Sequence, residues 1–117
     1  MQVIWNNRSP IYRQLAERFR DLILSGVFQN GDALPSIRWV ATEQGVNPLT
    51  VSKAYQLLVD DGLVEKHRGL GMYVSEGVVE RLVEDERRRF LDYELPAFRD
   101  KAERLGFNLE QLIEEDG

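Results

Sequence analysis

Residues 35–62, P-S-I-R-W-V-A-T-E-Q-G-V-N-P-L-T-V-S-K-A-Y-Q-L-L-V-D-D-G, decide the fold. Ser36 is a favourable N-cap for a helix that ends at Gly45, and Asn47 followed by Pro48 begins a second helix. The turn between the two helices is short, about three residues, and contains a glycine. This spacing predicts a helix-turn-helix, in which the second helix can enter the major groove of DNA.

The segments on either side extend this motif. Ser9-Pro10 predicts the start of a helix over residues 10–25 that stops at Gly26, with an apolar stripe. Its members are Ile11, Leu15, Phe19, Leu22 and Ile23. After the second helix, β-prone runs at 63–66 and 72–74 flank a basic, glycine-rich turn and predict a β-hairpin. A hairpin directly after a recognition helix is a wing.

From Val78 onward the sequence predicts acidic helices, with Pro96 as a break or a new start and Asn108 as the cap of a last short helix. A tail of about 40 residues is too small to fold alone, so its apolar side chains should pack on the first domain or on a second subunit. We therefore predict a mainly α fold with a small β-hairpin, a winged helix-turn-helix DNA-binding domain at 1–75 and an α-helical dimerisation tail at 76–117. The predicted dimerisation residues are Leu82, Phe90, Tyr93, Phe98, Leu105 and Leu112.

Composition excludes several classes of site. The 117 residues include no cysteine and one histidine, His67, which argues against disulfides, thiolate metal sites and histidine clusters. We expect no cofactor. No apolar run is long enough for a membrane-spanning helix, and the N-terminus lacks the pattern of a signal peptide, so we expect a soluble, cytoplasmic protein with no membrane partner.

The net charge of −5 is unevenly distributed. Residues 1–75 carry eight Lys/Arg and seven Asp/Glu, whereas residues 76–117 carry seven and thirteen. A near-neutral domain can bind DNA when its cations share one face.

The second helix of the motif presents a candidate DNA-reading face opposite its apolar stripe. Lys53 can reach a phosphate or a guanine edge, Ser52 and Gln56 can bond base edges, and Leu49 can contact a thymine methyl. Asn47 and Thr50 at the helix start can meet a phosphate or, alternatively, only cap the helix. Arg38 can face the phosphate backbone and Arg68 a minor groove, although either can also be an ordinary solvated charge.

Three separated motifs over residues 9–75 resemble the DNA-binding domain of GntR-type bacterial transcriptional regulators. They are the segment 34–41 (L-P-S-I-R-W-V-A), the segment 47–55 (N-P-L-T-V-S-K-A-Y), and 62–64 (G-L-V) with 68–74 (R-G-L-G-M-Y-V). The resemblance implies a winged helix-turn-helix that binds a palindromic operator as a dimer, although Pro48 stands where many relatives have arginine. The candidate DNA-binding residues are Ser36, Arg38, Asn47, Leu49, Thr50, Ser52, Lys53, Gln56, Arg68 and Gly69.

The short tail resembles that of the YtrA-like subfamily, which implies dimerisation and, by analogy only, a link to ABC-transporter genes. We expect a homodimeric repressor that binds double-stranded operator DNA. An enzyme is disfavoured because no paired acid/base or nucleophile spacing is present. A protein-binding module that has lost DNA binding stays open, and so does a regulator whose small-molecule effector lies in a cleft lined by Trp39, Phe90, Tyr93 and Phe98, although no effector is indicated.

Overall fold

A computed structural model describes residues 5–115 of the chain. Residues 1–4, on which the expectation about a signal peptide rests, lie outside it. Within the described residues the chain divides into two compact units, with the boundary between residues 81 and 82. It is mainly helical with one two-stranded antiparallel hairpin, as predicted. No helix within 5–115 is long and apolar enough to cross a membrane.

The first unit begins with α1 (Ile11–Leu24), α2 (Ile37–Gln44) and α3 (Pro48–Asp60). The hairpin of β1 (Val64–His67) and β2 (Gly71–Val74) follows, with Val64 opposite Val74. Residues 31–34 run alongside β2, since Leu34 N–H donates to the Met72 carbonyl at 2.8 Å and Ala33 bridges Tyr73.

The core of the first unit lies between α1 and α3. Leu15, Phe19 and Ile23 of α1 are fully buried, as are Val51 and Tyr55 of α3. The rings of Phe19 and Tyr55 meet edge to face, with centroids 5.3 Å apart. The predicted stripe of α1 is therefore confirmed at Leu15, Phe19 and Ile23, whereas Leu22 is half-buried and Ile11 is 38% exposed.

The predicted caps of α2 and α3 are confirmed. The Ser36 hydroxyl accepts a hydrogen bond from Trp39 N–H at 3.1 Å, and the Asn47 carboxamide oxygen accepts from Leu49 N–H at 2.8 Å. Gly45 ends α2 in the left-handed region, with φ +64°. The cap predicted at Ser9 is wrong, because Pro10 itself is the N-cap residue of α1 and has no side-chain oxygen to offer.

The helices after the hairpin begin with α4 (Val78–Arg89), whose first four residues belong to the first unit. A π-helical turn (Phe90–Glu94), α5 (Leu95–Arg104) and α6 (Leu109–Glu115) follow. Pro96 lies in the first turn of α5, so it marks a new start. The preceding turn widens, and Leu95 N–H donates to the Phe90 carbonyl five residues back. Asn108 caps α6 as predicted, its side-chain oxygen accepting from Glu110 N–H at 2.9 Å.

Candidate nucleic-acid interface

The exposed side of α3 carries the side chains predicted to read DNA. Val51, Ala54, Tyr55 and Leu58 turn into the core, and with 3.6 residues per turn the opposite face is left to solvent. That face holds Leu49, Ser52, Lys53 and Gln56, all exposed. Leu49 is 69% exposed, so its apolar side chain is accessible to a partner.

Two of these side chains have neighbours that restrict their position. The Gln56 amide donates to the Asp60 carboxylate at 2.9 Å, one helical turn along α3. The Lys53 ammonium lies 5.8 Å from the centre of the Tyr12 ring on α1, within the range of a cation–π contact. The Arg13 guanidinium is 5.7 Å from the same ring. The structure therefore gathers two cations around Tyr12, a residue that sequence reasoning did not select because it depends on the packing of α1 against α3.

The residues predicted to face the phosphate backbone of DNA lie at the starts of α2 and α3. Arg38 is the second residue of α2 and is exposed. Asn47 and Ser36 both act as caps, and Thr50 N–H donates to the Asn47 carbonyl at 2.9 Å, with its side chain half-buried. At the start of α3 Pro48 has no N–H, and the N–H groups of Leu49, Thr50 and Val51 all donate to Asn47. The start of α2 is therefore the better place for an anion such as a phosphate, because Ser36 accepts only from Trp39 and Val40.

A cleft of about 350 Å³ separates α3 from the wing. Ser36, Ser52 and Gln56 line one side, and Lys66 and Leu70 of the wing line the other. Three predicted DNA-binding residues are therefore brought together in one concave surface. Sequence reasoning missed Lys66, because its place in the cleft depends on how the wing lies beside α3.

The turn of the wing presents Arg68 and Gly69 to solvent. Gly69 adopts φ +78°, a conformation that other residues rarely take, and Leu70 N–H closes the turn on the His67 carbonyl at 2.9 Å. The His67 ring stacks on Tyr73 at 4.3 Å, and its Nε2 lies 3.3 Å from a Glu65 carboxylate oxygen. These contacts stiffen the strands that hold Arg68 at the tip.

Tyr55 links the recognition helix to the segment before α2. Its hydroxyl donates to the Pro35 carbonyl at 2.6 Å, and burial raises the pKa of the phenol above its ordinary range. The group therefore stays protonated and keeps donating. This bond fixes the Leu34–Ser36 segment, with the cap of α2, against α3.

The tail exposes a large apolar surface of its own. Tyr93 is 72% exposed, Leu105 63%, Phe98 54% and Phe90 48%. Leu112 is half-buried, and Leu82 is only 3% exposed within the chain. Leu82 therefore has little surface left to offer a second subunit, whereas Phe90, Tyr93, Phe98 and Leu105 remain exposed, and their role in a dimer stays a prediction.

Among residues 5–115 there is no group of His, Asp and Glu side chains suited to a metal ion. The first unit instead matches a known family, described as bacterial regulatory proteins, gntR family, over residues 11–74, from the first residue of α1 to the last of β2. The HTH-type transcriptional repressor YtrA of Bacillus subtilis (strain 168) is 38% identical over 114 residues, covering 97% of this chain and 87% of YtrA.

The fold is also similar to the solved structures of regulatory proteins. A GntR family transcriptional regulator from Listeria monocytogenes superposes with a TM-score of 0.70 at 31% identity, over 93% of this chain and 94% of that protein. The DNA-binding domain of AraR, solved in complex with operator ORX1, matches 64% of this chain and 95% of that domain, with a TM-score of 0.58 at 25% identity.

Proposed function

This chain belongs to the GntR family of bacterial regulatory proteins, and on that premise we propose that it represses transcription by binding a palindromic operator as a homodimer. It is a transcriptional regulator with a winged helix-turn-helix DNA-binding domain, and the relatives that it resembles are regulators rather than enzymes. Its similarity to the repressor YtrA extends along nearly the whole chain and supports the repressor assignment.

The single observation that carries the DNA-binding mode is the shared cleft. Ser52 and Gln56 of α3, Ser36 at the start of α2 and Lys66 of the wing converge on one concave surface. In the proposed complex, α3 lies in the major groove of the DNA. The phosphate backbone of the DNA then runs beside the starts of α2 and α3 and contacts Arg38. Arg68 at the wing tip reaches the flanking minor groove.

The homodimer is supported by the tail. Phe90, Tyr93, Phe98 and Leu105 expose apolar surface that is costly to leave in water. A second copy of the tail supplies a matching apolar surface, and two-fold pairing of the subunits matches the symmetry of an inverted repeat. The protein is then expected to act in the cytoplasm, by occupying promoter DNA.

The test is a selection of binders from a random duplex DNA library at near-physiological salt. We expect the wild type to enrich an inverted repeat. Arg38→Ala should bind every sequence more weakly and reduce the slope of log affinity against log salt by about 2, because each of the two subunits loses one phosphate contact. Arg18→Ala, a matched loss of an exposed arginine on α1, serves as the control and should keep the wild-type affinity.

Two outcomes would contradict the proposal. Arg38→Ala with wild-type affinity and salt slope would show that α2 does not face the backbone. A wild-type dimer that enriches no sequence would instead favour the module that binds a protein partner.

A further inference from the structure

Asn30, in the loop between α1 and α2, caps the start of α4. Its side-chain oxygen accepts from Val79 N–H at 3.2 Å, and its side-chain nitrogen donates to both oxygens of Glu80, at 3.2 and 3.0 Å. One carboxamide thus holds both the backbone and a side chain in the first turn of α4. All three bonds lie within the first unit, and they join residues about fifty positions apart in sequence.

The loop that carries Asn30 is itself fixed to the wing. Gly31 N–H donates to the Val74 carbonyl at 2.8 Å, and Val74 N–H donates back to the Asp32 carbonyl at 2.8 Å. Gly31 takes φ +82°, and a Cβ built there would come within 3.1 Å of the Glu76 carboxylate. The loop therefore runs close to the turn that leads into α4, and it has little freedom to shift away from β2.

Arg81 makes a second attachment on another side of the helix start. Its guanidinium donates to the Asp61 carbonyl at 3.3 Å, just after α3 ends. The first turn of α4 is consequently tied to the wing through Asn30 and to the end of the recognition helix through Arg81. The Glu80 carboxylate also suits its place, since a negative charge in the first turn of a helix is favourable.

We propose that Asn30 is a positioning residue that sets the spacing between the two operator half-sites. The inference rests on the proposed function, in which the tails pair and each α4 leads from its DNA-binding domain into its tail. Adding one base pair between half-sites moves them apart by about 3.4 Å and turns them by roughly a tenth of a helical turn. If the start of α4 is fixed on the DNA-binding domain, the dimer can bind half-sites at only a few spacings. If the start of α4 is loose, the dimer can bind several spacings.

The experiment measures binding of the full-length dimer to inverted repeats whose spacing varies in one-base-pair steps. The wild type should bind one spacing much more tightly than its neighbours. In Asn30→Ala the ratio between the affinity for the preferred spacing and the affinity for a neighbouring spacing should be several-fold smaller. Asn30→Asp should loosen the preference too, because its carboxylate faces that of Glu80. The double variant Asn30→Asp with Glu80→Gln reverses the hydrogen bond at constant net charge, and it should restore the preference.

Gln29→Ala, a change at the exposed neighbouring residue, is the control and should keep the wild-type preference. A dimeric Asn30→Ala protein with the wild-type spacing preference would overturn the role of Asn30 while leaving the proposed function intact. A wild type that is monomeric, or that binds no inverted repeat, would overturn both. Binding to a single half-site should be equal in all variants, and a loss there would show that Asn30 supports the DNA-binding fold rather than the spacing.

Discussion

At the scale of single residues, Tyr55 has two roles, since its ring fills the core against Phe19 and its hydroxyl holds Pro35. Tyr55→Phe keeps the ring and removes the donor, leaving a partly buried carbonyl without this bond. We expect the free energy of unfolding at neutral pH to fall by about 1–2 kcal/mol, measured by urea denaturation. Tyr73→Phe, in the wing, is the matched control, and equal losses in the two variants would contradict a special role for the Tyr55 hydroxyl.

The same substitution should change the response to alkaline pH. The phenol of Tyr55 has a raised pKa in the folded chain, so above its ordinary value of 10.0 the unfolded chain releases the proton first. Unfolding is then favoured as pH rises, by up to about 1.4 kcal/mol per pH unit for one group. Denaturation midpoints from pH 9 upward, a range set by the ordinary tyrosine pKa of about 10, should therefore fall less steeply in Tyr55→Phe than in the wild type.

At the scale of elements, the turn between α2 and α3 depends on the backbone of Gly45. A Cβ there would meet no atom within 4 Å, so a side chain fits in space, but φ +64° is strained for most residues. Gly45→Ala should destabilise the protein by about 1–2 kcal/mol, and Gly45→Asn by less, because asparagine tolerates the left-handed region. Thermal denaturation of the two variants checks this order, and an alanine variant as stable as the wild type would refute it.

The limits of helices α2 and α3 could be predicted from sequence because their signals are local. Ser36, Asn47 and Gly45 each determine the geometry of a cap within three or four residues. The π-helical turn could not be predicted, since Pro96 indicates an interruption without specifying how the preceding turn adapts. Ser9 was misassigned because Pro10, in an extended conformation, takes the cap position itself.

The residues of the candidate site also divide into those with a local sequence signal and those without one. The exposed face of α3 follows from the periodicity of one helix, so Leu49, Ser52 and Gln56 were identified from sequence. Tyr12 beside Lys53 and Lys66 across the cleft depend on contacts between elements that are distant in sequence. Such contacts leave no local pattern, and the covered position of Leu82 was missed for the same reason.

At the scale of the whole molecule, the exposed apolar residues of the tail should determine the oligomeric state. Phe98→Glu places a charge on a surface that we expect to be buried between subunits, so it should convert the dimer into a monomer. Sedimentation would show this, and affinity for the inverted repeat should fall with half-site binding unchanged. Val27→Glu, at a site 61% exposed in the first unit, is the control, and a Phe98→Glu protein that remains a dimer would exclude this surface as the interface.

The pairing of residues 31–34 with β2, and of Asn30 with α4, also constrains the order of events during synthesis. The ribosome adds residues N-terminal first, and domains generally fold as units. Gly31 and Asp32 find their partner only after residue 74 has been made, and Asn30 only after residues 79 and 80. The first unit can therefore complete its fold only after the first turn of α4 has been made, and the tail that we propose to pair two copies follows that turn in the order of synthesis.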